Sequence, residues 1–370
     1  MQNIPFFTSK FQDERYGKEI RSKIDEIIKS GIFILGNEVK NFEEKISNYF
    51  GVKHAIGVAN GSDALHLAIN ALDLPSGSEV ITTPFTFFAS TSCIIQNNLK
   101  AVFADVDPKT FNLDADKIEE KITEKTKAIL PVDLFSQTAN YDKINTIAKK
   151  YNLFVIEDSA EAFGMKWNNI PAGKLGDIGV LSFFPTKTLG CFGDGGMILT
   201  DNDNLAEKLK SLRVHGAIKK YTHKYIGRNS RLDALQAGIL NVKLNYVEDE
   251  ILERKKIAEL YLTKLSNVKE VILPKINNNA EPVWYVFSIK CEKRDELAEH
   301  LSKNGIQTSI YYPLPMHLQE CFKDLGYKEG DFPEAESLCK KALALPIFIG
   351  MTEEMINYVT EKIKKFYEGK

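Results

Sequence analysis

The first residue that could do chemistry is Lys187, a lysine set among turn-forming residues. It follows the apolar run 178–184, and Pro185 cannot continue a central strand because proline has no backbone N–H to donate. Glycines at 190, 193, 195 and 196 then give the backbone freedom to turn. This pattern predicts a bent segment at a strand end, where open α/β sheets carry their chemistry. The alternative interpretation is a lysine on a solvated loop.

A Gly-Ser pair lies where a strand predicted at 51–58 leads into a helix with an apolar face over 65–72. Gly61 and Ser62 would then be at the helix N-terminus. Free backbone N–H groups and a hydroxyl at that position can bind an anion such as phosphate. A plain N-cap, in which the Ser62 hydroxyl satisfies one of those N–H groups, is an equally good interpretation.

A carboxylate and a group of aromatic residues each follow a predicted strand. Asp158 comes after the strand predicted at 153–156, and it needs a partner because burying an unpaired carboxylate is costly. The aromatic segment 84–88 follows the strand predicted at 79–82. Its rings suit either the hydrophobic core or a flat platform for a ligand.

Strands and helices alternate through the first two thirds of the chain. Strands are predicted at 79–82, 101–104, 128–132 and 153–156, with helices between them. This alternation is typical of an α/β fold with a mostly parallel sheet that helices cover on both faces. We expect residues 1–244 to comprise a short N-terminal arm, which could pack on a partner subunit, and a large domain.

The remainder, residues 245–370, is predicted to form a smaller C-terminal α+β domain. A long polar helix at 247–265 leads into it, and strands are predicted at 284–289 and 308–312. Near the N-terminus, isoleucines at helical spacing stop at Gly31, which suits the end of a helix.

Composition excludes several classes of function. The 370 residues are 44% hydrophobic and 26% charged, enough to bury a sizeable core, and the net charge of −2 predicts no general attraction to nucleic acid or membranes. The five cysteines include no C-x-x-C pair, so no metal site and no disulfide framework is expected. With no apolar run long enough to span a bilayer, the chain is predicted to be cytoplasmic.

One segment is strongly basic. Residues 211–232 contain no acidic residue but six lysines and arginines, among them Arg228 and Arg231. Such a block suits a ligand with several negative charges, and its alternative is a solvated basic loop.

Together these residues supply what pyridoxal 5′-phosphate (PLP) needs: an amine, an anion for the pyridine nitrogen, donors for the phosphate and a flat group against the ring. The sequence resembles the sugar-nucleotide aminotransferases of the DegT family over essentially its whole length, most clearly in segments 59–65, 155–164 and 182–196. That resemblance implies fold type I of the PLP-dependent transferases, the aspartate-aminotransferase-like fold.

The resemblance also implies a role for each candidate residue. Lys187 resembles the lysine that binds PLP covalently and serves as general acid and base, and Asp158 resembles the carboxylate that pairs with the pyridinium nitrogen. Phe87 resembles the residue that stacks on the ring. The remaining positions resemble phosphate ligands: Gly61, Ser62 and Ser182 from the same chain, and Asn229 from the other subunit of a homodimer with shared sites.

Glu161 departs from the commonest pattern of the family, which has glutamine near the phenolic oxygen of the cofactor. A carboxyl there would favour protonation of one group or the other. Glutamate at this position is found in some members that act on 3-keto sugars. The resemblance is therefore greatest to members that aminate UDP-linked 3-ketohexuronates.

The implied reaction moves an amino group from L-glutamate, through the pyridoxamine 5′-phosphate form, to a nucleotide-linked keto sugar for surface-polysaccharide or glycan biosynthesis. Substrate contacts are expected from Arg228, Arg231, Tyr311 and His317. One alternative is a dTDP-linked 3- or 4-keto-6-deoxysugar substrate. Others are a PLP-dependent sugar dehydratase, in which histidine replaces the lysine, and a non-enzymatic regulator on this scaffold; the presence of Lys187 argues against both.

Overall fold

A computed structural model of the chain describes residues 3–369. The helices are α1 Lys10–Ser30, α2 Gly36–Phe50, α3 Gly61–Ala71, α4 Phe88–Gln96, α5 Tyr141–Tyr151, α6 Asp203–Leu212, α7 Ala234–Lys243, α8 Val247–Leu265, α9 Arg294–Lys303, α10 Pro333–Lys341 and α11 Glu353–Glu368. The strands are β1 His54–Val58, β2 Glu79–Thr82, β3 Lys100–Phe103, β4 Thr126–Ile129, β5 Phe154–Asp158, β6 Lys166–Trp167, β7 Ile170–Pro171, β8 Ile178–Ser182, β9 Gly196–Thr200, β10 Ala217–Lys219, β11 Thr222–His223, β12 Val271–Ile272, β13 Ala280–Glu281, β14 Phe287–Cys291 and β15 Ala342–Leu345.

Seven strands form the central sheet, in the order β1-β9-β8-β5-β4-β2-β3. Neighbouring strands are parallel except at β9, which runs against both β1 and β8. The predicted α/β fold with a mostly parallel sheet is confirmed. Strands β1, β2, β4, β5 and β8 all end at the same edge of this sheet, which we call the carboxyl edge.

Apolar residues cover the sheet on both faces. In β2, Val80 and Ile81 are both fully buried, yet they belong to different hydrophobic clusters because successive side chains of a strand point to opposite faces. Helix α3 packs into the first cluster through Leu65, and α5 packs into the second through Ile144. A strand buried on both faces cannot tolerate unpaired polar groups, so the polar chemistry is confined to the strand ends.

Helix boundaries confirm part of the sequence analysis and correct one detail. Helix α1 ends at Ser30 and is capped by Gly31, whose φ of 68° is in the left-handed region, and α8 has the predicted bounds. At the start of α3, however, the cap is Asn60, whose side chain accepts the N–H of Asp63 at 2.8 Å. Ser62 is exposed and does not occupy the cap position, so the capping interpretation of Ser62 is wrong.

The C-terminal part contains the antiparallel sheet β12-β14-β15, against which α8, α9 and α11 pack. The strand predicted at 284–289 begins only at Phe287, because Val283 and Val286 donate their N–H groups to a loop of the large sheet instead. The strand predicted at 308–312 is not formed. Only Ser309 pairs there, with Ala344, and the residues that follow include two prolines, which cannot donate to a sheet.

The N-terminal arm packs on the C-terminal part of its own chain. Ile4 is fully buried, donates its N–H to the carbonyl of Gly305 at 2.8 Å and accepts the N–H of Gln307 at 2.9 Å. The expectation that this arm packs on a partner subunit is therefore wrong for Ile4. The domain boundary predicted at 244 falls in a 3₁₀ turn, Leu244–Tyr246, and stays a prediction.

Two further expectations concern absences. Within residues 3–369, no helix is long and apolar enough to cross a membrane. The same part of the chain contains no group of three or more histidine, cysteine or acidic side chains that could hold a metal ion. All five cysteines are free thiols.

We expect Ile4→Ala to lower the free energy of unfolding by roughly 2–5 kcal/mol, because it leaves a cavity under the C-terminal part. The measurement is denaturant unfolding of the full chain. Ile272→Ala is the matched control, since Ile272 is 58% exposed in the same region and should cost about 0.5 kcal/mol or less. Equal, small losses for both variants would contradict the packing described for the arm.

Candidate active site

Lys187 lies on a tight turn just beyond β8, at the carboxyl edge. Its N–H donates to the carbonyl of Phe184 at 2.9 Å, and the N–H of Cys191 donates to the carbonyl of Phe183 at 2.8 Å. Gly190 makes this turn possible: a Cβ there would lie 2.6 Å from the Phe184 oxygen. The predicted bent segment at a strand end is therefore present.

The ammonium of Lys187 pairs with Glu161, which follows β5. The distance from Nζ to Oε1 is 3.1 Å, and the side chains are only 14% and 11% exposed. The other carboxylate oxygen of Glu161 accepts the N–H of Phe135 at 3.1 Å. The residue that departs from the family pattern is thus the direct partner of the proposed catalytic lysine.

Tyr285 completes the surroundings of the ammonium. Its ring centroid lies 4.6 Å from Lys187 Nζ, and its hydroxyl is hydrogen-bonded to Thr186 at 3.0 Å. Burial lowers the pKa of Lys187, but Glu161, Tyr285 and Asp158 together raise it above the ordinary lysine value. The sequence analysis missed Tyr285, because the apolar pattern around it was interpreted as a strand.

Asp158 ends β5 and is only 3% exposed. Its Oδ2 accepts the hydroxyl of Ser90 at 2.7 Å, and Ser90 is in turn hydrogen-bonded to Thr86 at 2.9 Å. Burial raises the pKa of Asp158, although the hydrogen bond from Ser90 and the charge of Lys187 oppose the shift. Ser90 was not identified from the sequence; two hydroxyl residues four apart, at 86 and 90 in an otherwise apolar segment, were the available signal.

Gly61 and Ser182 meet at the start of α3. A Cβ on Gly61 would lie 2.8 Å from Cβ and 3.1 Å from Oγ of Ser182, so the close approach requires glycine. The first N–H groups of a helix have no partner within it, and the exposed Ser62 adds its hydroxyl. The structure therefore brings Gly61, Ser62 and Ser182 together at a helix N-terminus, where an anion is favoured.

Phe87 and Tyr311 belong to a group of aromatic side chains at the carboxyl edge. Phe87 is 57% exposed at the N-cap of α4, and its ring centroid lies 6.4 Å from that of Tyr312. Tyr311 and Tyr312 both lie against Phe135. An exposed ring in this position can receive a flat ligand.

Three side chains from the basic segment 211–232 have different surroundings. Arg228 donates to Asp63 at 2.9 Å and to Nε2 of His66 at 3.1 Å. The charge of Arg228 is therefore already paired with side chains of α3. Arg231 is half-buried, and its Nε has no hydrogen-bond partner among residues 3–369. Asn229 is exposed on the chain. The roles predicted for these three side chains stay predictions.

His317 packs against residues 332–336. Its side chain is fully buried, its Nε2 lies 3.1 Å from Glu336, and its ring packs on that of Phe332. The substrate contact predicted for His317 stays a prediction: residues 332–336 enclose the imidazole, and its Nδ1 has no hydrogen-bond partner among residues 3–369. Spacing alone could not reveal this, because Glu336 is 19 residues away.

Tyr285→Leu should lower the pKa of Lys187, since it removes a ring–cation contact worth about 0.5–2 kcal/mol. Tyr285→Phe, which keeps the ring, should leave that pKa nearly unchanged. The measurement is the pH dependence of amine acetylation at Lys187 in the cofactor-free protein, followed by peptide mass spectrometry. Only the neutral amine reacts, so a lower pKa moves the reactive range to lower pH. If the pKa of Lys187 fell equally in both variants, the hydroxyl of Tyr285, and not its ring, would be responsible.

Comparison with known sequences finds close relatives. The chain is 47% identical over 367 residues to a pleiotropic regulatory protein of Geobacillus stearothermophilus, covering 99% of each chain. It is 42% identical over 363 residues to the dTDP-3-amino-3,6-dideoxy-alpha-D-galactopyranose transaminase of Aneurinibacillus thermoaerophilus, covering 98% of this chain and 99% of that one. It is 37% identical over 344 residues to the UDP-2-acetamido-2-deoxy-3-oxo-D-glucuronate aminotransferase of Pseudomonas aeruginosa, covering 93% and 95%.

Solved structures agree with the fold. The crystal structure of S. venezuelae DesV in complex with a ketimine intermediate matches with a TM-score of 0.97 and 34% identity, over 100% of this chain and 99% of that chain. The expected fold type I is confirmed. The sequence model of the DegT/DnrJ/EryC1/StrS aminotransferase family matches residues 14–364, almost the entire chain. The protein is therefore a member of the DegT/DnrJ/EryC1/StrS aminotransferase family.

Proposed function

We propose that this aminotransferase uses PLP to move an amino group from L-glutamate to a nucleotide-linked 3-keto sugar, with UDP-linked sugars as the first candidates. The observation on which the proposal depends is the nearly buried Lys187–Glu161 pair at the same sheet edge as the buried carboxylate of Asp158. Unpaired thiols suit a cytoplasmic site for this reaction. Its product would be an amino sugar for surface polysaccharides or other glycans.

The residues at the carboxyl edge fit PLP. The buried carboxylate of Asp158 would hold the protonated pyridine nitrogen, which supplies the positive partner that a buried carboxylate needs. The start of α3, with Gly61 against Ser182, would bind the phosphate, and Phe87 would cover one face of the ring. Lys187, whose charge acts on the buried Asp158, would supply the amine. When bound, PLP supplies an electron sink for a carbanion at the substrate carbon.

Lys187 would carry out the proton transfers, and Glu161 would hold its amine in place. Lys187 Nζ takes the proton from the donor carbon and later delivers one to the sugar carbon, acting first as base and then as acid. Glu161 Oε1 holds Nζ by hydrogen bond and stabilises its protonated form, as the raised pKa of Lys187 indicates. Asp158 keeps its partner nitrogen protonated through both half-reactions.

The relatives support position 3 as the site of amination more clearly than they support one nucleotide. The names of the transaminase from A. thermoaerophilus and of the aminotransferase from P. aeruginosa both refer to carbon 3, but one sugar is linked to dTDP and the other to UDP. A dTDP-linked 3-keto-6-deoxysugar is therefore the second candidate, favoured by the higher identity of the dTDP relative. Arg231, whose Nε has no hydrogen-bond partner in the part of the chain that the structure describes, is a candidate for the diphosphate of either sugar nucleotide.

A regulatory protein without catalysis is the competing function, since one relative has a regulatory name. A regulator would not require a lysine held between Glu161 and Tyr285 beside a buried aspartate. These costly buried charges favour an enzyme. The presence of lysine rather than histidine at 187 likewise favours transamination over dehydration of the sugar.

The decisive experiment offers ¹⁵N-glutamate and PLP with a panel of UDP- and dTDP-linked 3-keto and 4-keto sugars. Mass spectrometry of the products should show ¹⁵N in a 3-amino sugar, most rapidly with the UDP-linked 3-keto substrate. Lys187→Ala should abolish the transfer, because no other residue is proposed to supply the amine. Transfer by Lys187→Ala, or no transfer to any member of the panel, would refute the proposal.

A further prediction is that the protein forms a homodimer in which the exposed Asn229 reaches the partner's phosphate site. If Lys187→Ala and Asn229→Ala are each severely impaired, the latter at limiting PLP, mixed and refolded subunits should regain activity. One site of each hybrid then contains both Lys187 and the partner's Asn229, while the other site lacks both. The measurement is ¹⁵N transfer after hybrid formation has been verified by native mass spectrometry. Hybrids without activity would mean that Asn229 serves its own chain.

A further inference from the structure

A single loop is hydrogen-bonded both to Glu161 and to the segment that holds Tyr285, the two side chains that surround the Lys187 ammonium. We call residues 133–139, between β4 and α5, the bridging loop. The N–H of Phe135 donates to Glu161 Oε2 at 3.1 Å. On its other side, the loop accepts the N–H of Val283 at the carbonyl of Ser136, 3.2 Å, and the N–H of Val286 at the carbonyl of Phe135, 3.5 Å. Tyr285 lies between these two valines, so the bridging loop connects Glu161 to the segment that holds Tyr285.

The bridging loop is held in an unfavourable backbone conformation. Phe135 has a φ of 66°, in the left-handed region that a bulky residue adopts only where its surroundings impose it. The loop also contributes the ring of Phe135 to the aromatic group at the site. Something outside the loop must therefore fix it.

The side chain of Asn112 fixes both arms of the bridging loop. Its Oδ1 accepts the N–H of Leu134 at 2.9 Å, and its Nδ2 donates to the carbonyls of Gln137 and Thr138 at 3.0 and 3.3 Å. The residue is 2% exposed. Both the acceptor and the donor function of this buried amide are thus used on the loop, one on the arm before Phe135 and the other on the arm after it.

We propose that Asn112 is a positioning residue of the active site: it clamps the bridging loop so that the Phe135 N–H meets Glu161 and Glu161 meets Lys187. Asn112 itself does not touch Lys187. The inference rests on the proposed function only in assigning the catalytic part to Lys187. The contacts from Asn112 to the ammonium are all hydrogen bonds or ion pairs of 3.3 Å or less.

Replacing Asn112 by aspartate should open this clamp without a change of size. A carboxylate still accepts the N–H of Leu134, but its second oxygen would face two carbonyl oxygens and could not donate to them. The charged groups that face Lys187 are Glu161 and Asp158, both from the end of β5, with the Tyr285 ring from the 283–286 segment. If Glu161 moves away, burial dominates, the pKa of Lys187 falls, and the amine becomes more reactive.

The test measures acetylation of Lys187 at fixed pH in the full-length, cofactor-free protein, with folding checked by circular dichroism. Asn112→Asp should raise the labelling rate about three- to tenfold, where one pKa unit corresponds to about tenfold. Asn112→Ala, which removes the clamp without adding charge, should also raise it, and this variant decides if the aspartate variant does not fold. Asn241→Asp is the matched control: Asn241 is a buried asparagine that donates to Glu38 at 3.0 and 3.1 Å, far along the chain from the bridging loop.

A double variant separates positioning through Glu161 from general loosening. Glu161→Gln alone should raise the labelling rate, and adding Asn112→Asp should then have less than about a twofold further effect, because both changes act through one contact. An unchanged rate in folded Asn112 variants, an equal increase in Asn241→Asp, or a full additional increase in the double variant would each overturn the proposal. The experiment contains no sugar nucleotide or glutamate, so failure of the substrate proposal leaves its outcome intact.

Discussion

The surrounding structure depends on one buried ion pair, between Lys187 and Glu161. Burying an ammonium is costly unless a carboxylate and hydrogen bonds compensate, and the side chains here are only 14% and 11% exposed. The compensating groups come from three separate segments: the turn after β5 supplies Glu161, the bridging loop supplies the Phe135 N–H, and the segment before β14 supplies the Tyr285 ring. The site is therefore a property of the tertiary fold and not of any local motif.

The topology of the sheet explains why these segments can meet. Because β5 and β8 are parallel neighbours, Asp158 and the turn that carries Lys187 emerge at the same edge. Strand β9 runs antiparallel between β8 and β1, and it begins at Gly196, paired with both Ser182 and Val58. That pairing places the end of β1, and so the start of α3 at Gly61, beside β8. The start of α3 and the turn that carries Lys187 are thus neighbours through one antiparallel strand.

The sequence predicted those site features that depend on local chain geometry. The turn at Lys187, the strand end at Asp158 and the helix start at Gly61 follow from proline, glycine and apolar spacing, and all three are present. The sequence did not predict the features that depend on residues distant along the chain. The enclosure of His317 by Glu336 and Phe332 was not predicted, and residues 284–286 leave the predicted strand because Val283 and Val286 donate their N–H groups to the bridging loop. Tyr285 and Asn112 were missed for the same reason.

The basic segment 211–232 illustrates this limit for charge. Along the sequence it has no acidic neighbour, yet in the fold Arg213 pairs with Glu43 of α2 and Arg228 pairs with Asp63 of α3. Two of its six cations are thereby neutralised by acids more than 160 residues away. An anionic ligand would have to compete with those acids for Arg213 and Arg228, which costs affinity. Of the two arginines proposed to bind substrate, Arg228 would face this competition, whereas the Nε of Arg231 is unpartnered among the described residues.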